Sequence, residues 1–133
     1  MDKILCVNSL TKSLGDFLVD KVTFEIAPGT VMGFIGENGA GKSTTINLLL
    51  NILKRDTGFI EIFDMDYDKN EIEIKQNIGF VISNAYIYEN LTIQQFANFI
   101  SSFYHHWDDK MFRHYLNRYN LNSKKKYQIY QQV

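Results

Sequence analysis

Of its 133 residues the chain spends one on cysteine and one on proline. A lone Cys6 cannot close an internal disulfide, so redox stapling is excluded and a small buried thiol in a first strand is expected. With Pro28 the only proline, no low-complexity tract and no repeat at a period of about 20 to 50 residues, no linker announces itself and one compact core is expected. No apolar run approaches the roughly 20 residues that cross a bilayer, and the opening Met1-Asp2-Lys3 lacks a signal peptide's apolar core, so a cytosolic chain is expected. An excess of one charge is also missing. The 14 Lys+Arg and 15 Asp+Glu leave −1, which speaks against nucleic acid as a partner held by bulk charge. What is present, 45% hydrophobic and 22% charged residues, is the composition of a folded domain.

Strand signals come first. Ile4-Leu5-Cys6-Val7 reads as a strand, and Val22-Thr23-Phe24-Glu25-Ile26 alternates as a half-buried strand does, ending at Pro28-Gly29. Val31-Met32-Gly33-Phe34-Ile35 is apolar without alternation, the pattern of a parallel strand covered on both faces. A helix is predicted from Ser43 to Leu53, with Lys54-Arg55 favourable near its C-terminus. Phe59 to Phe63 reads as a strand, followed by an acidic turn, a short helix over Glu71 to Gln76 and the apolar run Ile78 to Ile82. Thr92 with Gln95 makes a capping box, and Leu91 with Phe96 has staple spacing. Asp108 is the next N-cap, flanked by Trp107 and Phe112 and opening a helix to about Tyr119. A boundary is placed near residues 84 to 90.

Gly36-Glu37-Asn38-Gly39-Ala40-Gly41-Lys42-Ser43 matches GxxxxGK[ST], between a predicted strand and a predicted helix. With glycine at about 7% of residues, the fixed positions match by accident in well under about one in a hundred chains of this length. The chemistry explains the pattern. A phosphate chain concentrates negative charge, and backbone N–H groups of a tight loop running into a helix N-terminus converge on it. Glycine permits the left-handed geometry such a loop needs. Lys42 supplies a point charge for the β and γ phosphates, and Ser43 a hydroxyl for Mg²⁺.

The run GENGAGKST after APGTVMGFI, with LTKSLGD upstream and then TGFIEIFD, KQNIGFVISNAYIYENLT and FYHHWDDKMFRHYLNRYNL, resembles the ATP-binding subunit of ABC transporters, most of all bacterial exporters. The resemblance implies an α/β fold: a P-loop NTPase-like three-layer core with an N-terminal antiparallel β portion and part of a helical subdomain, an incomplete domain. Residues 1–90 would be the core and 91–133 the partial helical subdomain. It implies ATP and Mg²⁺ as ligands, with Gly36, Glu37, Asn38, Gly39, Ala40, Gly41, Lys42 and Ser43 around the triphosphate and Thr44 and Thr45 at the α phosphate. A transmembrane permease subunit and a second ATPase subunit are the implied partners, at the cytoplasmic face of the membrane. The family's loop glutamine, which contacts magnesium and the attacking water, falls on Ser83, a side chain that reaches a metal only through a water or a displaced backbone. Its adenine-stacking aromatic falls on Leu14, leaving Phe17 as either a substitute platform or a core aromatic.

The family's signature segment, Asp-Glu strand and switch His are not spelled within these residues, although Lys124-Lys125-Lys126 approach the signature position. Hydrolysis by this chain alone is therefore expected to be negligible, because phosphoryl transfer depends on such groups. The strands that would cover Val31 to Ile35 are also not among these residues, which predicts exposed apolar faces. Two readings stand: the Mg-ATP-binding N-terminal portion of an exporter ATPase, or a non-catalytic remnant or interaction module with weak or no nucleotide binding. A soluble ABC protein of translation or repair is a third. Asp64 to Asp68 starts like a calcium loop but has Lys69 and Lys75 where Gly and Glu belong, so a solvated turn is expected. His105, His106 and His114 have no metal-ligand spacing. Phe96, Phe99, Phe103, Phe112, Tyr115 and Tyr119 recur at helical spacing and predict packing between two helices.

Overall fold

The computed structural model describes residues 2–81 and 90–126, so Ser83 lies outside the described residues. The chain divides into two compact units, Met1–Ile74 and Lys75–Val133.

The first unit is built on an antiparallel sheet. Strands β1 (Leu5–Leu14) and β2 (Phe17–Ile26) form a hairpin across Gly15-Asp16, with Gly15 at φ +61 as a two-residue turn requires. β3 (Thr57–Ile62) pairs with the other edge of β1, and β4 (Met65–Asp66) with β3, giving the order β2-β1-β3-β4. β1 is longer than its apolar stretch predicts because pairing on both edges carries it past two irregularities. At one of them Ser9 and Leu10 together oppose Gly58, since Asn8 pairs with Phe59 and Thr11 with Thr57. Ser9 takes φ +50 there. Val7, Leu10, Val19, Ile60 and Ile62 are buried, the alternate residues of their strands apart from the bulge. Cys6 is half-buried in β1, and burial, then the neighbouring Glu25 carboxylate, push its thiol up.

Helix α1 (Lys42–Leu49) is shorter than the apolar run Ser43 to Leu53 predicts. Asn51 takes φ +54, and its N–H bonds the Leu48 carbonyl while that of Ile52 bonds the Asn47 carbonyl, at 3.1 and 2.9 Å. These two bonds close a Schellman motif, which ends a helix whatever the hydrophobicity beyond it. The acidic turn is less solvated than expected: Tyr67 in its middle is 1% exposed, while Asp68 pairs with Arg55 and Asp66 with Lys69. Helix α2 (Glu71–Gln76) lies where periodicity put it.

Asp56 fastens the start of β3 to β1. Its N–H donates to the Thr11 carbonyl at 2.9 Å, and its carboxylate accepts from Lys12 Nζ at 2.6 Å and Ser13 N–H at 2.8 Å. The Lys12 ammonium first, and then the Ser13 amide, hold this carboxyl below its ordinary 3.8. A depressed carboxylate pKa contributes stability that is complete above the unfolded value and lost as pH falls through the folded one. The melting temperature of the wild type is therefore expected to fall more steeply than that of Asp56→Asn below about pH 4. Parallel profiles would remove the clamp from the account.

Val31 to Ile35 corrects one expectation. The segment belongs to no strand and pairs with no parallel neighbour among the described residues, and Val31 and Ile35 are each 99% exposed. Only Phe34 finds an aromatic partner, edge to face with Phe24 of β2 at 5.4 Å between centroids. A run with two apolar faces becomes a buried strand only where neighbours cover both, and the described residues supply none. Self-association of the isolated chain is the expected result, read as a mass above 15.5 kDa by light scattering; a monodisperse, cooperatively melting monomer would contradict it.

In the second unit, α3 (Ile93–Ser101) begins with the predicted capping box: Thr92 Oγ1 accepts from Gln95 N–H at 3.2 Å, and Gln95 Oε1 from Thr92 N–H at 2.9 Å. Residues 123–126 add a second cap, as the carbonyls of Ser123 and Lys125 accept the Gln94 and Ile93 amides. That backbone role gives the lysine run a place the charges alone did not suggest. α4 (Asp109–Arg118) starts at Asp108, whose carboxylate accepts from Lys110 and Met111 N–H, with Trp107 and Phe112 rings 5.6 Å apart as the staple. The aromatic series does not pack as predicted. Phe99 meets Phe103, and Tyr115 stacks on Tyr119, pairs four residues apart along the chain, and all four rings remain about half exposed. The Gln76 amide joins this unit's start to the loop after α3, donating to the Phe103 carbonyl and accepting from His105 N–H. Among the described residues no helix is long and apolar enough to cross a membrane.

Candidate functional site

Between Gly36 and Ser43 the backbone turns back on itself. Ala40 N–H donates to the Glu37 carbonyl at 3.2 Å, and Gly39 and Gly41 take φ +87 and +88, conformations that L side chains rarely adopt. Gly41 is also the N-cap of α1 and offers no side-chain cap, so the first-turn N–H groups have no intrahelical partner, the condition under which a helix N-terminus accepts an anion. Lys42 is folded inward. Its Nζ donates to the carbonyls of Gly36 and Glu37 at 2.6 and 2.7 Å, leaving one of three ammonium donors uncommitted to the loop.

The loop and β2 enclose a cleft of about 410 Å³, lined by Phe17, Asn38, Gly39 and the run Gly41 to Thr44. That volume is within the range of small-molecule sites. Gly36, Glu37 and Ala40 do not line it; they shape the loop, two through carbonyls to Lys42 and one through its amide. Thr44 faces the cleft, whereas Thr45 is buried and turns its hydroxyl onto the Gly41 carbonyl at 2.9 Å. Leu14 is exposed outside the cleft. Phe17 is inside it, packed on the loop: a Cβ built on Gly41 would stand 2.8 Å from the ring's ζ carbon. This contact is what sequence reasoning missed, since the positions are 24 apart and no local pattern joins them. The Ser43 hydroxyl in the lining suits Mg²⁺, an oxygen-seeking ion that also takes phosphate oxygens and water. Among the described residues no cluster of three or more His, Cys, Asp or Glu could hold a metal instead.

A glycine loop turned at left-handed residues, running into an uncapped helix and closed by an inward lysine, defines with this fold a P-loop NTPase. The particular lineage follows from comparison. A family model described as ABC transporter matches residues 19–133. The bacitracin transport ATP-binding protein BcrA of Bacillus licheniformis is 40% identical over 96 residues, 71% of this chain and 31% of its own. The probable multidrug ABC transporter ATP-binding protein YbhF of Escherichia coli (strain K12) is 33% identical over 104 residues, 77% of this chain and 18% of its own. Among solved structures, an ATP binding subunit of an ABC transporter superposes with a TM-score of 0.80 at 23% identity, over 92% of this chain and 54% of that one. The protein cbiO1 from Clostridium perfringens, part of the ABC transporter complex cbiONQ, superposes at 0.68 and 24% identity, over 96% and 54%. The chain belongs to the ABC transporter family, and it spans less than a third of the length of these curated relatives.

Proposed function

We propose that this chain is the Mg-ATP-binding N-terminal portion of the ATPase subunit of an ABC exporter. The observation that carries the reading is the cleft lined by the glycine loop and the first turn of α1, with Lys42 Nζ folded onto the loop's Gly36 and Glu37 carbonyls. Gly39, Gly41 and the amides of Lys42 to Thr44 hold the triphosphate, and Lys42 neutralises its β and γ charge. Thr44 supports the α phosphate, and the Phe17 ring is the platform for the base. Glu37, Gly36 and Ala40 set the loop's shape, and Thr45 braces the helix start behind it. When bound, Mg²⁺ supplies charge neutralisation to the phosphates, with Ser43 as its protein ligand. Ser83 stands at the family's glutamine position in this reading. Residues 1–90 form the nucleotide core and 91–133 part of the helical subdomain.

Export as the coupled process is supported by what the relatives are named for, bacitracin transport and multidrug transport. The partners would then be a transmembrane permease subunit and a second ATPase subunit, at the cytoplasmic face of the membrane. The role proposed for these residues is nucleotide binding; the signature segment, Asp-Glu strand and switch His on which phosphoryl transfer in the family depends are not spelled among them. Titration with a fluorescent ATP analogue and Mg²⁺ tests the reading. Saturable binding is expected, together with stabilisation of about 2.7 kcal/mol at a hundredfold excess over Kd. A melting temperature indifferent to Mg-ATP would leave a remnant that binds no nucleotide.

A further inference from the structure

We infer that Asp56, outside the cleft, is a positioning residue for the nucleotide: by holding Lys12 and Ser13 it sets where the tip of the β1–β2 hairpin, and Phe17 with it, meets the phosphate loop. The inference rests on the nucleotide-site reading above and adds to it a residue that touches no ligand.

The sheet stops short of the hairpin tip. β3 pairs with β1 as far as Thr11↔Thr57, whereas β1 and β2 stay paired beyond it, through Lys12↔Val19, Ser13↔Leu18 and Leu14↔Phe17. A two-stranded ribbon that overhangs its sheet twists more strongly, and by itself it is marginally stable. Asp56 precedes the first residue of β3 and carries the ladder onward. Its N–H donates to the Thr11 carbonyl at 2.9 Å, one carboxylate oxygen accepts from the Ser13 N–H at 2.8 Å, and the other from Lys12 Nζ at 2.6 Å. The carboxylate thus stands where a longer β3 would offer a backbone carbonyl. Ser13 adjoins Leu14, the register partner of Phe17, so anchoring Ser13 anchors the strand end from which the ring projects. Little displacement of that ring is tolerable: a Cβ built on Gly41 would stand 2.8 Å from its ζ carbon, so ring and loop are already in close contact. Groups that present a ligand must be held to within about 0.5 Å by supporting hydrogen bonds, and the clamp supplies them at the root of the tip. Asp56 does not line the cleft, so its route to the ligand runs through the hairpin.

Displacement of a fluorescent ATP analogue by Mg-ATP and by inorganic tripolyphosphate, on the wild-type chain and on Asp56→Ala, Asp56→Asn, Phe17→Ala and the Asp56→Ala/Phe17→Ala double variant, tests this. Asp56→Ala should weaken ATP by about three- to tenfold, a loss bounded by the whole contribution of the Phe17 ring, and leave tripolyphosphate unchanged. Asp56→Asn keeps an acceptor for the Ser13 N–H and should restore ATP affinity to within about twofold of wild type. In the Phe17→Ala background the Asp56 substitution should cost ATP nothing further, since a residue that acts through the ring has nothing left to act on. If Asp56→Ala melts below the assay temperature, Ser13→Pro makes the same comparison by deleting the N–H that the carboxylate accepts, and the same loss is expected. Unchanged ATP affinity in the folded variant overturns the inference. So does a parallel loss of tripolyphosphate, which would mark a general support of the fold, or an equal loss of ATP with and without Phe17. No binding of either ligand by the wild type overturns the nucleotide site itself, and this inference with it.

Discussion

Alanine at Gly58 is expected to unfold the N-terminal unit or nearly so. Gly58 sits at φ +100, opposite the point where Ser9 and Leu10 together face one residue of β3. A Cβ there would lie 2.6 Å from Leu10 Cα, 2.6 Å from the Ser9 carbonyl oxygen and 2.8 Å from Leu10 N. All three are backbone atoms of the central strand, so no side chain can swing aside; β1 and β3 must separate. The residue is held from its other side too, since Arg55 Nε donates to the Gly58 carbonyl at 3.0 Å. Backbone strain of about 1–3 kcal/mol and overpacking of about 1–3 kcal/mol add at one position. Their sum is a large share of the roughly 5–15 kcal/mol that stabilises a domain. Gly15 provides the control. It also has positive φ, but a Cβ there meets nothing within 4 Å. Gly15→Ala should therefore lose about 1 kcal/mol, the conformational part alone. Thermal melts of the two variants decide the matter, and equal losses would show that the contact with β1 is unimportant.

Lys42→Ala is expected to weaken Mg-ATP binding by about ten- to a hundredfold. On the proposed reading the ammonium group would contribute a charge-assisted hydrogen bond to phosphate, about 1.5–3 kcal/mol, and each 1.4 kcal/mol is about a factor of ten. It also ties the carbonyls of Gly36 and Glu37 together, so its loss loosens the loop that presents the amides. Lys42→Arg separates the two contributions. It keeps the charge, but its planar fork cannot reproduce a compact ammonium bonded to two carbonyls. Intermediate affinity for arginine, with melting temperatures close to wild type in the absence of nucleotide, is the expected result. Equal affinity in wild type and alanine variant would remove Lys42 from the site.

Some of this was legible because the signals are local. The capping box at Thr92, the N-cap at Asp108 with its Trp107–Phe112 staple, and the helix over Glu71–Gln76 depend on residues within a few positions of one another. The turned glycine loop is legible for the same reason: glycines at set spacing permit the left-handed turns at Gly39 and Gly41 without reference to the rest of the chain. Other features depend on partners far along the sequence. The apolar run at Val31–Ile35 reads as a covered strand, yet a strand exists only where neighbours pair with it. The aromatic rows read as an interface between helices, yet helical spacing states which rings share a face and not what that face meets.

By itself the sequence determined the glycine loop's turns, the helix caps and the alternation of Val22 to Ile26 in β2. Each follows from the conformational preferences and hydrogen-bonding groups of residues near one another. The tertiary structure alone decided that Phe17 abuts Gly41 by its tip, that Asp56 clamps β1, and that Gly58 faces two residues of the central strand. Those contacts join positions 24 to about 50 residues apart, and only closing the chain into a sheet with a definite register sets which atoms meet.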